Sequence, residues 1–326
     1  MSFSFTGALR LAVAPTISSV TASCLGFPGA DLPARKALDQ IPRAVVVGFE
    51  SALESSTPAD VAARVDLMDE PLRGFGFEGA VMATTILDAT AGGARTRQLI
   101  EGPARPHHLL AYIGIGFALA RLPRRLWSRG LPDLDLDGYH PTLSWLAVDG
   151  YGFDLAYFHR HRWVGTGARP RPWPFLGAPG YFGRAVDQGM GRAVWFVDGA
   201  RPAHAAATVD TFAPERRADV WAGVGLAATF AGPTADVDYG SLARLAGPHA
   251  SDVRLGAALA AMARHGSGTV PEHTRAATTA LTGLSPAHLA ELADGCAVLE
   301  DEGTTPAYER WRRAIRRELT SVGAVA

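Results

Sequence analysis

Lysine is almost absent from this 326-residue chain: Lys36 is the only one. Lysine chemistry elsewhere in the chain, such as a Schiff base or a P-loop, is therefore excluded. Cysteine is nearly as scarce, with Cys24 and Cys296 far apart. Two such residues build neither a disulfide framework nor a cysteine-based zinc site. Charge of either sign is not in excess: 31 basic and 32 acidic residues leave a net charge of −1. A nucleic-acid partner is not expected from that balance. Long apolar runs are missing too. The longest, at 109–120 and 220–231, hold about a dozen residues each, where a membrane span needs about 20. The segment Thr21-Ala22-Ser23-Cys24 loosely resembles a lipoprotein cleavage site, but Arg10 falls inside the would-be apolar stretch. A cytoplasmic protein without a transmembrane segment is the expectation.

What is present is core-forming material. Apolar residues make up 48% of the chain and charged residues 19%, a globular composition. Residues 1–42 read as a mixed N-terminal arm, 43–265 as a helical core, and 266–326 as a C-terminal helical cap. Apolar residues recur at three- and four-residue spacing, which predicts helices. The best strand candidates are Val45-Val46-Val47 and 193–197. A Pro/Gly-rich stretch over 164–180 reads as a lid or a spacer.

A Gly-x-Gly followed by small or apolar residues occurs five times: Gly74-Phe75-Gly76, Gly114-Ile115-Gly116, Gly150-Tyr151-Gly152, Gly189-Met190-Gly191 and Gly223-Val224-Gly225. A weaker echo is Leu255-Gly256-Ala257. A period of about 37 suits helical-hairpin repeats. The expectation is an all-α repeat protein, an open solenoid or a closed α/α toroid, with the solenoid favoured by the short unit.

Candidate chemistry is sparse. Gly74 to Gly79 matches a dinucleotide fingerprint, but a charged, proline-broken stretch precedes it where a strand is required. Asp133, Asp135 and Asp137 match the first half of a calcium loop, yet position 12 is Ser144. The same cluster reads equally as an acidic turn, or as crowded carboxyls of which one stays protonated. Glu78 and Asp154 each lie two residues after the second glycine of a repeat. They read as helix-dipole partners or as paired acid/base groups on one concave face. Ten histidines include no i,i+4 ligand pair, so neither metal nor cofactor is expected. Arg160 and Arg162 lie in a basic stretch that is either a solvated loop or a clamp for a charged substrate end. The aromatics Phe77, Phe153, Tyr157, Trp195 and Trp221 follow or flank the glycine motifs and are candidate groove-lining groups. Tyr308, Trp311, Ile315 and Leu319 form the apolar stripe of a C-terminal helix whose other faces carry arginines.

Taken in order, Leu25-Gly26-Phe27, Gly76-Phe77-Glu78-Gly79-Ala80-Val81-Met82-Ala83, Asp149-Gly150-Tyr151-Gly152-Phe153, Gly191-Arg192-Ala193-Val194-Trp195-Phe196 and Asp219-Val220-Trp221-Ala222-Gly223-Val224-Gly225-Leu226-Ala227 resemble the UnbL-type family. This bacterial family is associated with enediyne polyketide gene clusters. The resemblance covers nearly the whole chain. Two blocks depart from the pattern: Asp154 stands where the family block has histidine, and Phe230-Ala231-Gly232-Pro233 ends the last block differently. The resemblance implies a role in natural-product biosynthesis beside UnbV-like and UnbU-like partners, and it supplies no catalytic residues. Two expectations follow. One is a cofactor-independent enzyme that folds a hydrophobic small molecule, a polyene or polyketide chain, for cyclisation or isomerisation. The other is a non-catalytic scaffold or obligate subunit for those partners.

Overall fold

A computed structural model describes residues 16–29, 32–134, 140–234, 236–298 and 300–323. The fold is all-helical. Among the described residues no β-strand forms, and one isolated bridge joins Glu302 to Thr305. Seven longer helices carry the architecture: α1 (Pro33–Glu54), α2 (Arg73–Ala91), α3 (His108–Arg121), α4 (Trp145–Phe158), α5 (Pro179–Val197), α6 (Pro214–Ala231) and α7 (Ala250–Gly266). Each packs on the next along the chain. Helix α1 crosses the expected arm boundary at 42 and holds Pro42 inside it. Short helices and loops connect the seven. Helices α8 (Pro286–Gly295) and α9 (Ala307–Gly323) then pack on α7.

Val45-Val46-Val47 and 193–197 are helical, in α1 and α5. β-Branched residues favour strands where one face is exposed. Here Val194 and Val197 lie in a helix whose residues from Val186 to Val197 are all buried. Packing on several sides overrides that local preference.

The repeated glycines explain the packing of neighbouring helices. Two residues apart on an α-helix is about 200° around its axis, so a Gly-x-Gly presents one bare backbone patch to each side. A Cβ added to Gly114, Gly150, Gly189, Gly223 or Gly256 would strike a backbone carbonyl of the preceding long helix: Glu78, Ile113, Asp149, Gln188 or Ala222 respectively. A Cβ on Gly116, Gly152, Gly191 or Gly225 would strike Ala147, Val186, Val220 or Val253 of the following one. In α2 the residue that meets the preceding helix is Gly79, against Val45. Gly74 and Gly76 face side chains instead, His107 and Met68. At the crossing of α1 and α2 the packing glycines are therefore Gly48, whose added Cβ would strike the Gly76 carbonyl, and Gly79.

The array curls back on itself. Arg264, near the end of α7, donates to the Pro71 carbonyl at 3.0 Å, just before α2. Thr269 donates to Glu70 at 2.7 Å. The Phe75 and Phe230 rings meet edge to face at 5.4 Å. Of the two arrangements expected, these contacts fit the closed one. Helix α9 lies across the array, reaching Gln188 and Tyr181 of α5, Asp219 of α6 and Asp252 of α7. Its apolar stripe, Tyr308, Trp311, Ile315 and Leu319, is buried as its spacing predicts. Arg312 is not on the wet face. It is fully buried between Asp219 and Glu309.

Candidate functional site

The seven long helices surround one cavity, and each contributes to its wall. Its volume is about 80 Å³, several times the roughly 10–15 Å³ that one water needs, so the space suits a slim molecule. The wall is aliphatic and aromatic: Val45, Met82, Leu110, Ile113, Leu146 and Leu259 line it with Phe75, Phe117, Phe153, Phe196 and Phe230. Tyr157 and Tyr308 add hydroxyl-bearing rings. Among the described lining residues the charged types are Glu78, Arg121, Asp154 and Arg192.

Glu78 is 2% exposed. The residue before each packing glycine falls on one face, and in α2, α4 and α5 that residue is polar: Glu78, Asp149 and Gln188. Asp149, rather than Asp154, is thus the structural counterpart of Glu78. Arg192 of α5 ion-pairs directly with Asp149. The Gln188 amide donates to the other Asp149 oxygen at 2.8 Å and to the Tyr308 hydroxyl at 2.9 Å. Arg192 stands 4.0 Å from Glu78 Oε1, too far for a hydrogen bond. Glu78 Oε1 is buried without a partner. Burial pushes this carboxyl up to about 8, with Arg192 opposing the shift and Asp149 adding to it. Burial thus favours the neutral acid form of Glu78 near pH 7.

Asp154 is 3% exposed. Arg121 Nη2 donates to it at 2.7 Å, and the Arg121 guanidinium also lies 4.7 Å from the centre of the Phe158 ring. Burial raises Asp154 to about 6, with Arg121 holding it down. At neutral pH it is mostly ionised. The two described carboxyls that face the cavity are thus raised by different amounts, an arrangement in which one can give a proton and the other take one.

The other candidates fall elsewhere. Phe153 and Tyr157 line the cavity, stacked at 5.3 Å, and the Tyr157 hydroxyl donates to the Val20 carbonyl. Phe77, Trp195 and Trp221 are buried but absent from its wall. Phe77 stacks on His107, and Trp195 donates to the Gly232 carbonyl at 2.7 Å. Arg160 stands 3.8 Å from Asp198, and exposed Arg162 lies over Trp163; neither reaches the cavity. The Arg160 partner lies 38 positions away at the end of α5, a contact that sequence spacing alone does not reveal. Asp133 is exposed, while Asp135 and Asp137 lie outside the described residues. No cluster of three metal-ligating side chains occurs among the described residues. The 164–180 stretch contributes no wall residue; Phe175 packs on Trp145 at 5.0 Å, so the stretch acts as a packed spacer. Gly74 to Gly79 lies inside α2, without the strand a dinucleotide site needs.

Sequence reasoning missed Arg121, Asp149, Gln188, Arg192 and Tyr308. For Asp149 and Gln188 the signal is the position before a packing glycine; Arg121, Arg192 and Tyr308 carry no such mark in the sequence.

DUF1702, a family of proteins of unknown function, matches residues 5–319. The chain belongs to the DUF1702 family. The match takes in every DUF1702 helix that lines the cavity, together with most of α9. No curated protein and no solved structure matches this DUF1702 chain. No helix among its described residues is long and apolar enough to cross a membrane.

Proposed function

We propose that this DUF1702 protein is a cytoplasmic, cofactor-independent enzyme of natural-product biosynthesis that cyclises or isomerises an apolar polyene or polyketide-type chain. The observation that carries the reading is Glu78: a protonated carboxyl with one unpartnered oxygen, facing an apolar cavity. The Glu78 proton adds to a terminal carbon of a conjugated chain and leaves a carbocation. The faces of Phe75, Phe153 and Phe230 stabilise that charge through their quadrupoles. Ionised Asp154 removes a proton from a neighbouring carbon, a new double bond or ring closes the sequence, and solvent exchange restores both carboxyls. Acid and base each supply a factor of roughly 10²–10⁴ in rate.

The UnbL-type resemblance supports a polyketide-derived substrate. The scaffold alternative calls for an open groove with exposed aromatics. The exposed large apolar side chains here are Ile17, Leu32, Val47, Leu67, Leu176 and Leu245, with no aromatic among those described. That favours the enzyme.

The test is incubation of purified protein with linear polyenes, without added cofactor, followed by mass spectrometry. Turnover by wild type, lost in folded Glu78→Gln and Asp154→Asn, supports the reading. No turnover alone, with activity that appears on co-expression of UnbV-like and UnbU-like proteins and persists in Glu78→Gln, replaces it with the obligate-subunit reading.

A further inference from the structure

We infer that the cavity takes its ligand uncharged: a neutral hydrocarbon or alcohol-ended chain, and not the corresponding carboxylate. This deepens the proposed function and rests on the same cavity as the substrate site.

The inference starts from a charge count. Among the described residues four charged side chains face the cavity, and all but Glu78 are already paired within the protein. Arg192 is held by Asp149, whose second oxygen accepts from Gln188. Arg121 is held by Asp154 at 2.7 Å. Glu78 makes no hydrogen bond through Oε1, and among the described residues its nearest cation is Arg192 at 4.0 Å. The Tyr157 and Tyr308 hydroxyls are satisfied by the Val20 carbonyl and the Gln188 amide. The two guanidinium groups and the two paired carboxylates therefore cancel. The rest of the wall is aliphatic or aromatic.

An ionised group moved from water into such a space loses its hydration and gains no free counter-charge, which costs several kcal/mol. An uncharged chain pays nothing of that kind and gains from apolar burial. Arg160 and Arg162, the expected holders of a charged substrate end, lie against Asp198 and Trp163 instead, away from the cavity wall. The remaining rim cation, Arg121, has a side chain 23% exposed and is the residue an anionic head would have to take from Asp154.

A matched pair of linear tetraenes tests this: parinaric acid and the alcohol of the same chain, followed by fluorescence on binding at pH 7.5. Wild type is expected to bind the alcohol at least about tenfold more tightly than the carboxylate. Asp154→Asn leaves Arg121 without its counter-charge and is expected to bring the two affinities together or invert them. If Asp154→Asn fails to fold by circular dichroism, Arg121→Gln serves: it should weaken carboxylate binding further and leave the alcohol nearly unchanged. Equal or tighter carboxylate binding by wild type overturns the inference, as does an unchanged ratio in the folded Asp154 or Arg121 variant. Uptake of neither ligand overturns it together with the substrate site. Tight alcohol binding without turnover leaves it standing and counts against the enzyme reading alone.

Discussion

At the scale of single residues, the site rests on one carboxyl kept neutral by what does not touch it. Arg192 could neutralise Glu78, but Asp149 claims it first. Removing that claim in Asp149→Asn lets Arg192 turn to Glu78 and favours its ionised form. For the proposed reaction, kcat/KM should be bell-shaped, rising through about 6 as Asp154 loses its proton and falling through about 8 as Glu78 does. Asp149→Asn should move the alkaline limb to lower pH and leave the acid limb in place. A profile unchanged on that side would remove Asp149 from the role. The same carboxyl affects stability. Between its unfolded value of 4.5 and its folded value of about 8, the unfolded chain releases the Glu78 proton while the folded one keeps it. Stability from this group is present below 4.5 and is lost as pH rises to 8. Glu78→Gln should therefore match wild type in unfolding free energy near pH 4 and exceed it near pH 9, by up to a few kcal/mol, read from urea unfolding at the two pH values. Glu78 and Asp154 were legible in the sequence as carboxyls in apolar surroundings. Their partners were not. Arg192 lies 114 positions from Glu78 along the chain, and only the packing of α5 brings it near.

Between residue and fold stand the helices, and here the sequence was most informative. Glycine inside a helix costs roughly 0.5–1 kcal/mol relative to alanine, so its recurrence at one spacing signals a compensating contact. The structure locates that contact at each crossing of successive helices. What spacing could not reveal was that Gly48 and Gly79 supply the bare backbone at the first crossing while the Cβ positions of Gly74 and Gly76 face side chains, because side-chain and backbone neighbours look alike in one dimension. The same ambiguity made Val45-Val46-Val47 look like a strand. The contact is testable within one helix. Gly189→Ala places a methyl group on the Asp149 carbonyl, whereas nothing lies within 4 Å of the Cβ position at Gly180, near the start of the same helix. Gly189→Ala should destabilise by about 2–4 kcal/mol, as overpacking and displaced backbone do. Gly180→Ala should be neutral or stabilising by up to about 1 kcal/mol. Urea unfolding of the two variants decides it, and equal midpoints would sink the packing role assigned to the repeat.

The whole molecule depends on a piece of chain far from the repeats. Helix α9 crosses the array and sends Tyr308 to the cavity wall. Its hold is a buried ionic knot. Arg312, fully buried, reaches Asp219 of α6 at 2.8 Å, Glu309 at 3.1 Å and the Tyr181 hydroxyl at 2.7 Å. Arg184 also grips Asp219 and Glu309, at 2.8 and 3.0 Å. These cations hold both carboxyls below their usual range despite burial. The sequence showed the apolar stripe of α9, but it placed Arg312 on the wet face, since helical spacing cannot tell a surface arginine from one that finds acids on another helix. Removing one partner of a buried pair leaves an uncompensated charge, which costs about 3–5 kcal/mol. Arg312→Leu should lose that much, while Arg317→Leu, on the exposed side of α9, should stay within about 0.5 kcal/mol. The effect should reach the cavity as well. With α9 loosened, Tyr308 leaves the wall, and an apolar dye such as ANS should bind Arg312→Leu at denaturant concentrations where wild type excludes it. Loss of stability without that dye binding would mean that α9 unfolds together with the array in one step, and that the cavity never stands open on its own.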